Sequence, residues 1–275
     1  MNSPESSPLG KASSYKDTYD ASLLFPIARQ EKRTEIGVDS AELPFAGVDV
    51  WNGYELSWLN PKGKPVVAIA VFRIPAESPK LIESKSFKLY LNSFNQSHFD
   101  SIDEVQARLA ADLTAAAEAA VGVDVFKLDQ AAEHEQVSAM AAECIDDLDV
   151  QITGYQTDAS LLECSDEIVS EKLCSHLLKS NCLVTGQPDW GSVFIEYTGP
   201  KINRESLLKY LISFRQHNEF HEQCVERIFV DLKAQCRCQT LTVYARYVRR
   251  GGLDINPFRS DDAQAEVNNI RLVRQ

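Results

Sequence analysis

The sequence lacks the long apolar run that a membrane-spanning helix requires. Its longest clean stretch, Val66 to Phe72, falls far short of the ~20 residues that a span needs. No apolar core of a secretory signal stands near the start, where Ser, Pro and Gly dominate and suggest a loose tail. No GxGxxG or Walker pattern occurs, so a Rossmann or phosphate-loop nucleotide site finds no support. Positive charge is scarce: 28 Lys and Arg stand against 40 Asp and Glu, a formal net charge of −12. Such a surface repels phosphodiester backbones and argues against direct nucleic-acid binding, while leaving room for a local basic pocket around one phosphate-bearing ligand. The seven cysteines are odd in number and form no CxxC pair. A disulfide framework or a four-ligand zinc site is therefore not expected, and a cytoplasmic location with reduced thiols is.

What is present is a globular composition, 44% apolar and 25% charged, over 275 residues. That length suits about two domains, or one built from similar halves. A short repeat favours similar halves. Tyr90-Leu91-Asn92-Ser93-Phe94-Asn95-Gln96 matches Tyr210-Leu211-Ile212-Ser213-Phe214-Arg215-Gln216, and Asp112-Leu113 matches Asp231-Leu232. In the first half, Tyr54 to Leu59 and Val66 to Ile74 read as strands about a Pro61-Lys62-Gly63 turn. A helix is expected around Ser86 to Phe94. A second helix starts at Ser101, with Glu104 placed for a capping box. Its apolar stripe is Ile102, Val105, Leu109, Leu113 and Ala116. A returning strand is expected from Val123 to Leu128. The second half repeats the order: a strand from Ser192 to Thr198, helices over Glu205–Phe214 and Phe220–Leu232, and a strand from Leu241 to Val248. Each half is thus an α+β unit with helices layered on an antiparallel sheet. An acidic linker from about Gln130 to Asp166 joins them.

Four segments carry residues suited to chemistry. Ser180 to Gly191 reads as a tight loop entered from a helix and left by a strand. It holds Cys182, with Asp189 seven residues on. A constrained thiol near an acid has the parts of a nucleophile and a proton donor; a packed cysteine beside a turn aspartate has the same pattern. Glu83 to Tyr90 opens a helix, with Lys85 and Lys88 on one face, able to hold a phosphate or simply to face solvent. His221 shares the stripe of Val225 and Ile228 and so points inward. Glu222, in the first helical turn, could accept two adjacent N–H donors of a guanine-like edge. Arg249-Arg250-Gly251-Gly252 suits a closely approached anion, or an ordinary basic turn. The acidic run Asp146-Asp147-Leu148-Asp149 suits a solvated turn better than a cation site.

Taken together, Glu83-Ser84-Lys85-Ser86-Phe87-Lys88-Leu89-Tyr90-Leu91, Ser180-Asn181-Cys182 with Gln187-Pro188-Asp189, Phe214, Phe220-His221-Glu222 and Arg249-Arg250-Gly251-Gly252 resemble the long form of the 7-cyano-7-deazaguanine reductases. These are the nitrile reductases of queuosine biosynthesis in tRNA. The resemblance runs from about Tyr19 to Gln275. It implies tandem tunnelling-fold modules, with a tail and lead-in over 1–40 and modules over 41–155 and 156–275. It implies homodimers, NADPH as cofactor, no metal, and 7-cyano-7-deazaguanine as the substrate reduced to the aminomethyl compound. By the same resemblance Cys182 is the nucleophile and Asp189 the proton donor. Ile82, Glu83, Ser84, His221 and Glu222 contact substrate, and Ser84, Lys85, Arg250 and Gly251 contact NADPH. The first half holds the Glu83 segment but no cysteine between Tyr54 and Phe94. The second half holds Cys182 but reads Asn203-Arg204-Glu205-Ser206 at the matching position. Each site is therefore expected to draw on both halves, within one chain or across a dimer. Three rivals differ in observable ways: a cysteine-dependent nitrile or amide hydrolase consumes no NADPH; a zinc-dependent enzyme of the same fold group, like GTP cyclohydrolase, needs Cys or His ligands around Cys182; a base-binding module turns nothing over.

Overall fold

A computed structural model describes residues 15–134 and 136–275; the expected N-terminal tail lies almost entirely outside the described residues. The elements run β1 (Pro26–Ala28), α1 (Gln30–Glu35), β2 (Ala46–Leu59), β3 (Pro65–Pro75), β4 (Lys80–Ile82), α2 (Ser84–Asn92), α3 (Ile102–Ala117), β5 (Gly122–Phe126) and α4 (Leu128–His134). They continue with β6 (Glu143–Cys144), β7 (Cys164–Ser175), β8 (Lys179–Asn181), β9 (Pro188–Ile202), α5 (Arg204–Ser213), α6 (His221–Cys236), β10 (Thr240–Tyr247) and β11 (Leu253–Ser260). One large sheet has the order β5-β3-β2-β11-β10-β9-β7-β6, with β8 paired to β9. It is antiparallel except for β6 beside β7. The protein is thus α+β, with helices backing an antiparallel sheet in two similar halves.

The halves meet where β11 pairs with β2, from Leu253 opposite Gly53 to Ser260 opposite Ala46. The two apolar cores interlock across this seam. Leu253 and Ile255 of the second half pack into the first core, around Phe72, Phe87 and Leu109. Phe45 and Ala76 of the first half pack into the second, around Tyr210, Val225 and Phe229.

The repeat has a structural meaning. Tyr90 donates its hydroxyl to Asp112 at 2.7 Å, and Tyr210 donates to Asp231 at 2.6 Å. Each bond ties the shorter helix of a pair to the longer one and satisfies a phenol that packing would otherwise strand. A second, shorter repeat precedes each helix pair. Asp20-Ala21-Ser22-Leu23-Leu24 recurs as Asp158-Ala159-Ser160-Leu161-Leu162, and each aspartate caps a single 3-10 turn. The chain then bonds the following helix start in the same way: Phe25 N–H donates to Ser86 Oγ at 3.0 Å, and Glu163 N–H to Ser206 Oγ at 3.1 Å.

Three sequence expectations are corrected. The loop holding Cys182 is entered from a strand, β8, not from a helix. The preceding β7 exposes half of its side chains, in no regular alternation. The returning strand of the first half ends at Phe126, and Leu128 starts α4. The buried stripe of α3 ends on Ala117, while Ala116 is only partly buried.

Five buried charges cross the seam in a row. Arg29 pairs with Asp49 at 2.6 Å, Asp49 with Arg259 at 2.8 Å, Arg259 with Glu226 at 2.9 Å, and Glu226 with Arg33 at 2.7 Å. None is more than 2% exposed. Burial alone would raise the two carboxyls, but Arg259 and Arg29 bring Asp49 below its usual value, and Arg259 and Arg33 do the same for Glu226. Carboxyls with depressed values lend stability that is complete above their unfolded values and is lost as pH falls through the folded ones. Removing one charge strands its partners in a dry interior. Glu226→Gln is therefore expected to lose about 3–5 kcal/mol of unfolding free energy in a urea titration at neutral pH. The variant's deficit should shrink in acid, as the native carboxyl is itself protonated. A loss below about 1 kcal/mol would contradict this reading of the network.

Candidate active site

The Cys182 loop is a hairpin between β8 and β9, closed at Asn181 opposite Pro188. Cys182 N–H donates to Gln187 O at 2.8 Å, and Gly186 N–H donates to Cys182 O at 3.0 Å. Gly186 has φ +65°, the left-handed region that favours glycine. The hairpin is held from outside as well. Asn181 N–H donates to His217 O at 2.8 Å, and Glu219 N–H donates to Asn181 O at 3.1 Å. The thiol therefore projects from a fixed backbone rather than a floppy loop, and it is 4% exposed.

Asp189, the second residue of β9, is buried beside it. One of its oxygens lies 2.8 Å from Arg250 Nη2 and 3.4 Å from His221 Nε2. Arg250 also donates to the Gln187 side chain. It sits in the β10–β11 turn, where Gly251 and Gly252 both have positive φ. His221 is the first residue of α6. Its ring stacks on Tyr247 with centroids 3.8 Å apart and planes within 5°, and its Nδ1 has no protein partner. The stack fixes the imidazole so that Nε2 faces Asp189.

Two buried carboxyls face the same space. Glu83 precedes α2 and caps it, accepting from Lys85 N–H at 2.6 Å and Ser86 N–H at 2.8 Å. The matching residue of the second half, Asn203, caps α5 through Ser206 N–H at 3.0 Å. A short, neutral side chain thus does the capping where nothing else is asked of it. The longer, charged one at position 83 points to an added task. Burial pushes the Glu83 carboxyl up, against the pull of the backbone N–H groups. Glu222, in the first turn of α6, is pushed up to about 7 by burial and by the Asp49 carboxylate, with Arg29 and His221 opposing.

These side chains line one cavity: Ile82, Glu83 and Ser84 from the first half, Cys182, Asp189, His221, Glu222 and Arg250 from the second, with Leu81, Phe220 and Ile255 as apolar walls. One chain alone brings both halves to the site. The cavity is narrow, about 20 Å³. It adjoins a groove of about 560 Å³ that passes Lys88, Gly251 and Gly252. Ser84, Lys88, His221 and Arg250 line a small space between the two. Lys85 gives its backbone N–H to Glu83 and is not among the residues lining these spaces.

Lys88, read in the sequence with Lys85 as a candidate phosphate holder, is the one of the two that lines these spaces. Burial and Arg250 push its amine down, while Glu83, Asp189 and Cys182 hold it up. Tyr247 offered no signal, since a buried aromatic in a strand reads only as core. The donor set suits a nicotinamide dinucleotide with an extra phosphate: Lys88 and Arg250 are cations, and the glycine turn admits a close approach. A Cβ on Gly251 would come within 3.1 Å of Lys88 Cδ. Among the described residues, the one group of three converging Cys or His side chains is Cys144, Cys174 and His176, and it does not include Cys182.

Residues 15–125 match the family model described as the nitrile reductase, 7-cyano-7-deazaguanine-reductase N-terminal domain, and residues 188–266 match that of QueF-like proteins. The NADPH-dependent 7-cyano-7-deazaguanine reductase of Chromobacterium violaceum is 65% identical, over 99% of this chain and 98% of its own length. The enzyme of that name from Azoarcus sp. is 61% identical, over 100% and 98%. That from Chromohalobacter salexigens is 57% identical, over 98% and 97%. With both halves matched and full-length relatives at such identity, the chain belongs to the NADPH-dependent 7-cyano-7-deazaguanine reductase family.

Proposed function

We propose that this chain reduces the nitrile of 7-cyano-7-deazaguanine to the primary amine with NADPH, through a covalent bond to Cys182. The observation that carries the site assignment is the meeting of one thiol, one ion-paired aspartate and two further buried carboxyls in a single cavity. A nitrile carbon accepts hydride poorly. Addition of Cys182 Sγ across the C≡N bond gives a thioimide, whose N-protonated C=N is a far better acceptor. Asp189 takes the thiol proton and returns it to the nitrile nitrogen. Arg250 holds the aspartate in position for both transfers. NADPH, bound twice in turn, supplies the two hydrides that carry the carbon from thioimide to amine. Between them Cys182 must leave as thiolate, so that an imine stands ready for the second. A thiol suits this better than a hydroxyl, being both a good nucleophile and a good leaving group.

Glu222 and Glu83 read the base. An ionised carboxylate accepts two adjacent N–H bonds, the pattern presented by a guanine-like edge. His221, stacked on Tyr247, keeps its Nε2 toward Asp189 and the reacting nitrogen. Ile82 supplies an apolar wall beside them. Ser84, Lys88, Arg250 and Gly251 serve NADPH at the mouth of the larger groove, with Lys85 a further cation on the same helix. A cavity of about 20 Å³ does not admit a bicyclic base as it stands. Entry of the base therefore requires the walls of the cavity to move apart.

The working assembly, on this reading, is a cytoplasmic homodimer whose chains each fold as a lead-in over 1–40 and modules over 41–155 and 156–275. The paired Tyr–Asp bonds and the shared helix order support the modular division. All seven cysteines are free thiols, as a reducing compartment requires. No helix among the described residues is long and apolar enough to cross a membrane.

Incubated with the nitrile and without NADPH, the wild-type chain should gain the mass of one substrate, and Cys182→Ala should gain none. An adduct surviving in Cys182→Ala would refute the role of that sulfur. Glu222 should make base binding depend on pH. With its carboxyl near 7, the ionised form grows about tenfold between pH 6 and 8. Affinity for the base, read by calorimetry in the Cys182→Ala background, should rise by about that factor over the range. Glu222→Gln should flatten the profile, and Glu222→Leu should weaken binding at pH 8 by about 1.5–3 kcal/mol. An unchanged slope in Glu222→Gln would assign the titration elsewhere.

A further inference from the structure

We propose that Cys144, Cys174 and His176 form a binding site for a thiophilic divalent cation, zinc above all, apart from the active-site cavity. The three side chains come from two segments distant in sequence. Cys144 lies on β6, in the stretch between the two halves, and pairs in parallel register with Cys174 near the end of β7. His176 follows on the turn to β8. Their ligand atoms all lie within 4.8 Å of one another. In a tetrahedral zinc site, bond lengths of about 2.3 Å to sulfur and 2.0–2.1 Å to nitrogen set ligand separations of about 3.5–3.8 Å. The donors need close by no more than about 1.3 Å to meet that geometry.

The histidine is held as metal-binding histidines are held. Its backbone N–H donates to Asp146 at 2.9 Å, its carbonyl accepts from Arg274 at 2.9 Å, and its Nδ1 lies 2.8 Å from Ser192 Oγ. A partner on one ring nitrogen fixes the orientation of the imidazole, the usual outer support of a metal site. Cys174 is buried, and its thiol rests on Ala142 O at 3.9 Å. Cys144 is exposed and gives the ion its way in. Two thiolates and one neutral imidazole around a divalent cation make an uncharged unit. Binding therefore displaces one proton from each thiol and needs no further counter-ion. Three protein donors leave a fourth position for water. Asp146 does not fill it, because its oxygens are taken by Ser175 Oγ and His176 N–H. The ion would staple the inter-module strand to β7 and to the turn leading into β8.

The test is titration of the metal-free, full-length protein with cobalt(II), followed by zinc. Wild type and Cys182→Ala should both develop a thiolate-to-cobalt charge-transfer band that saturates at one equivalent and is abolished by zinc. Cys144→Ser, which alters an exposed side chain, and His176→Ala should weaken cobalt binding at least tenfold. Zinc should raise the thermal midpoint of wild type and leave that of Cys144→Ser unchanged. Absence of the band, its survival in Cys144→Ser, or its loss in Cys182→Ala would overturn the proposal. Oxidation of Cys144 and Cys174 to a disulfide in air, with no cobalt bound after reduction, would overturn it equally.

Discussion

The buried row Arg29–Asp49–Arg259–Glu226–Arg33 is the constraint on which the rest of the molecule turns. It joins a lead-in residue before α1, α1 itself, β2, β11 and α6 at the line where the two halves meet. Isolated ions could not persist at such burial, so the row holds only when every member is in place. That makes it a geometric lock more than a source of net stability. Glu226 lies one helical turn beyond Glu222, on the same face of α6. Pinning Glu226 therefore also sets where His221 and Glu222 stand over the cavity. The same Asp49 carboxylate that completes the row pushes Glu222 upward. One network thus places a cavity-lining carboxyl and tunes it.

The duplication explains why the site is shared. Two equivalent helix starts, at Glu83 and Asn203, solve the same capping problem. Only the first carries a charge into a cavity. Two equivalent longer helices, α3 and α6, pack on the sheet. Only α6 opens with His221 and Glu222, without a side-chain cap of its own. Each half has kept the common scaffold and given up half of the site. The sheet is continuous through β2 and β11, so the parts come together within one chain. The site then depends on the seam more than on either module alone.

Much of this was legible in the residues. The Tyr90 and Tyr210 segments exposed the repeat because a packed helix pair with a tyrosine–aspartate bond tolerates little change. Ser101 showed its cap, and it does accept from Glu104 N–H. Cys182 and Asp189 on a constrained loop, and His221 and Glu222 at an inward-facing helix start, stood out as candidates, but only the family resemblance gave them roles. Other features could not be seen. The Asp20 and Asp158 turns repeat at a different spacing from the helices, because the first half has a longer segment between this turn and the following helix start than the second, so a fixed offset misses them. Arg29, Arg33, Asp49, Glu226 and Arg259 read as ordinary surface charges. A single sequence does not tell a solvated ion from one matched in the interior. β8 is three residues long and lacks any period. Lys85 and Lys88 were equivalent on paper, and only the path of the β10–β11 turn distinguishes them.

On the function proposed above, the cavity at the seam performs reduction through sulfur, not hydrolysis or mere binding. Product stoichiometry tests it most directly. Purified protein given 7-cyano-7-deazaguanine and excess NADPH should oxidise two NADPH for each aminomethyl product formed and release no ammonia. Ammonia release with NADPH untouched would contradict the account and identify a thiol hydrolase instead.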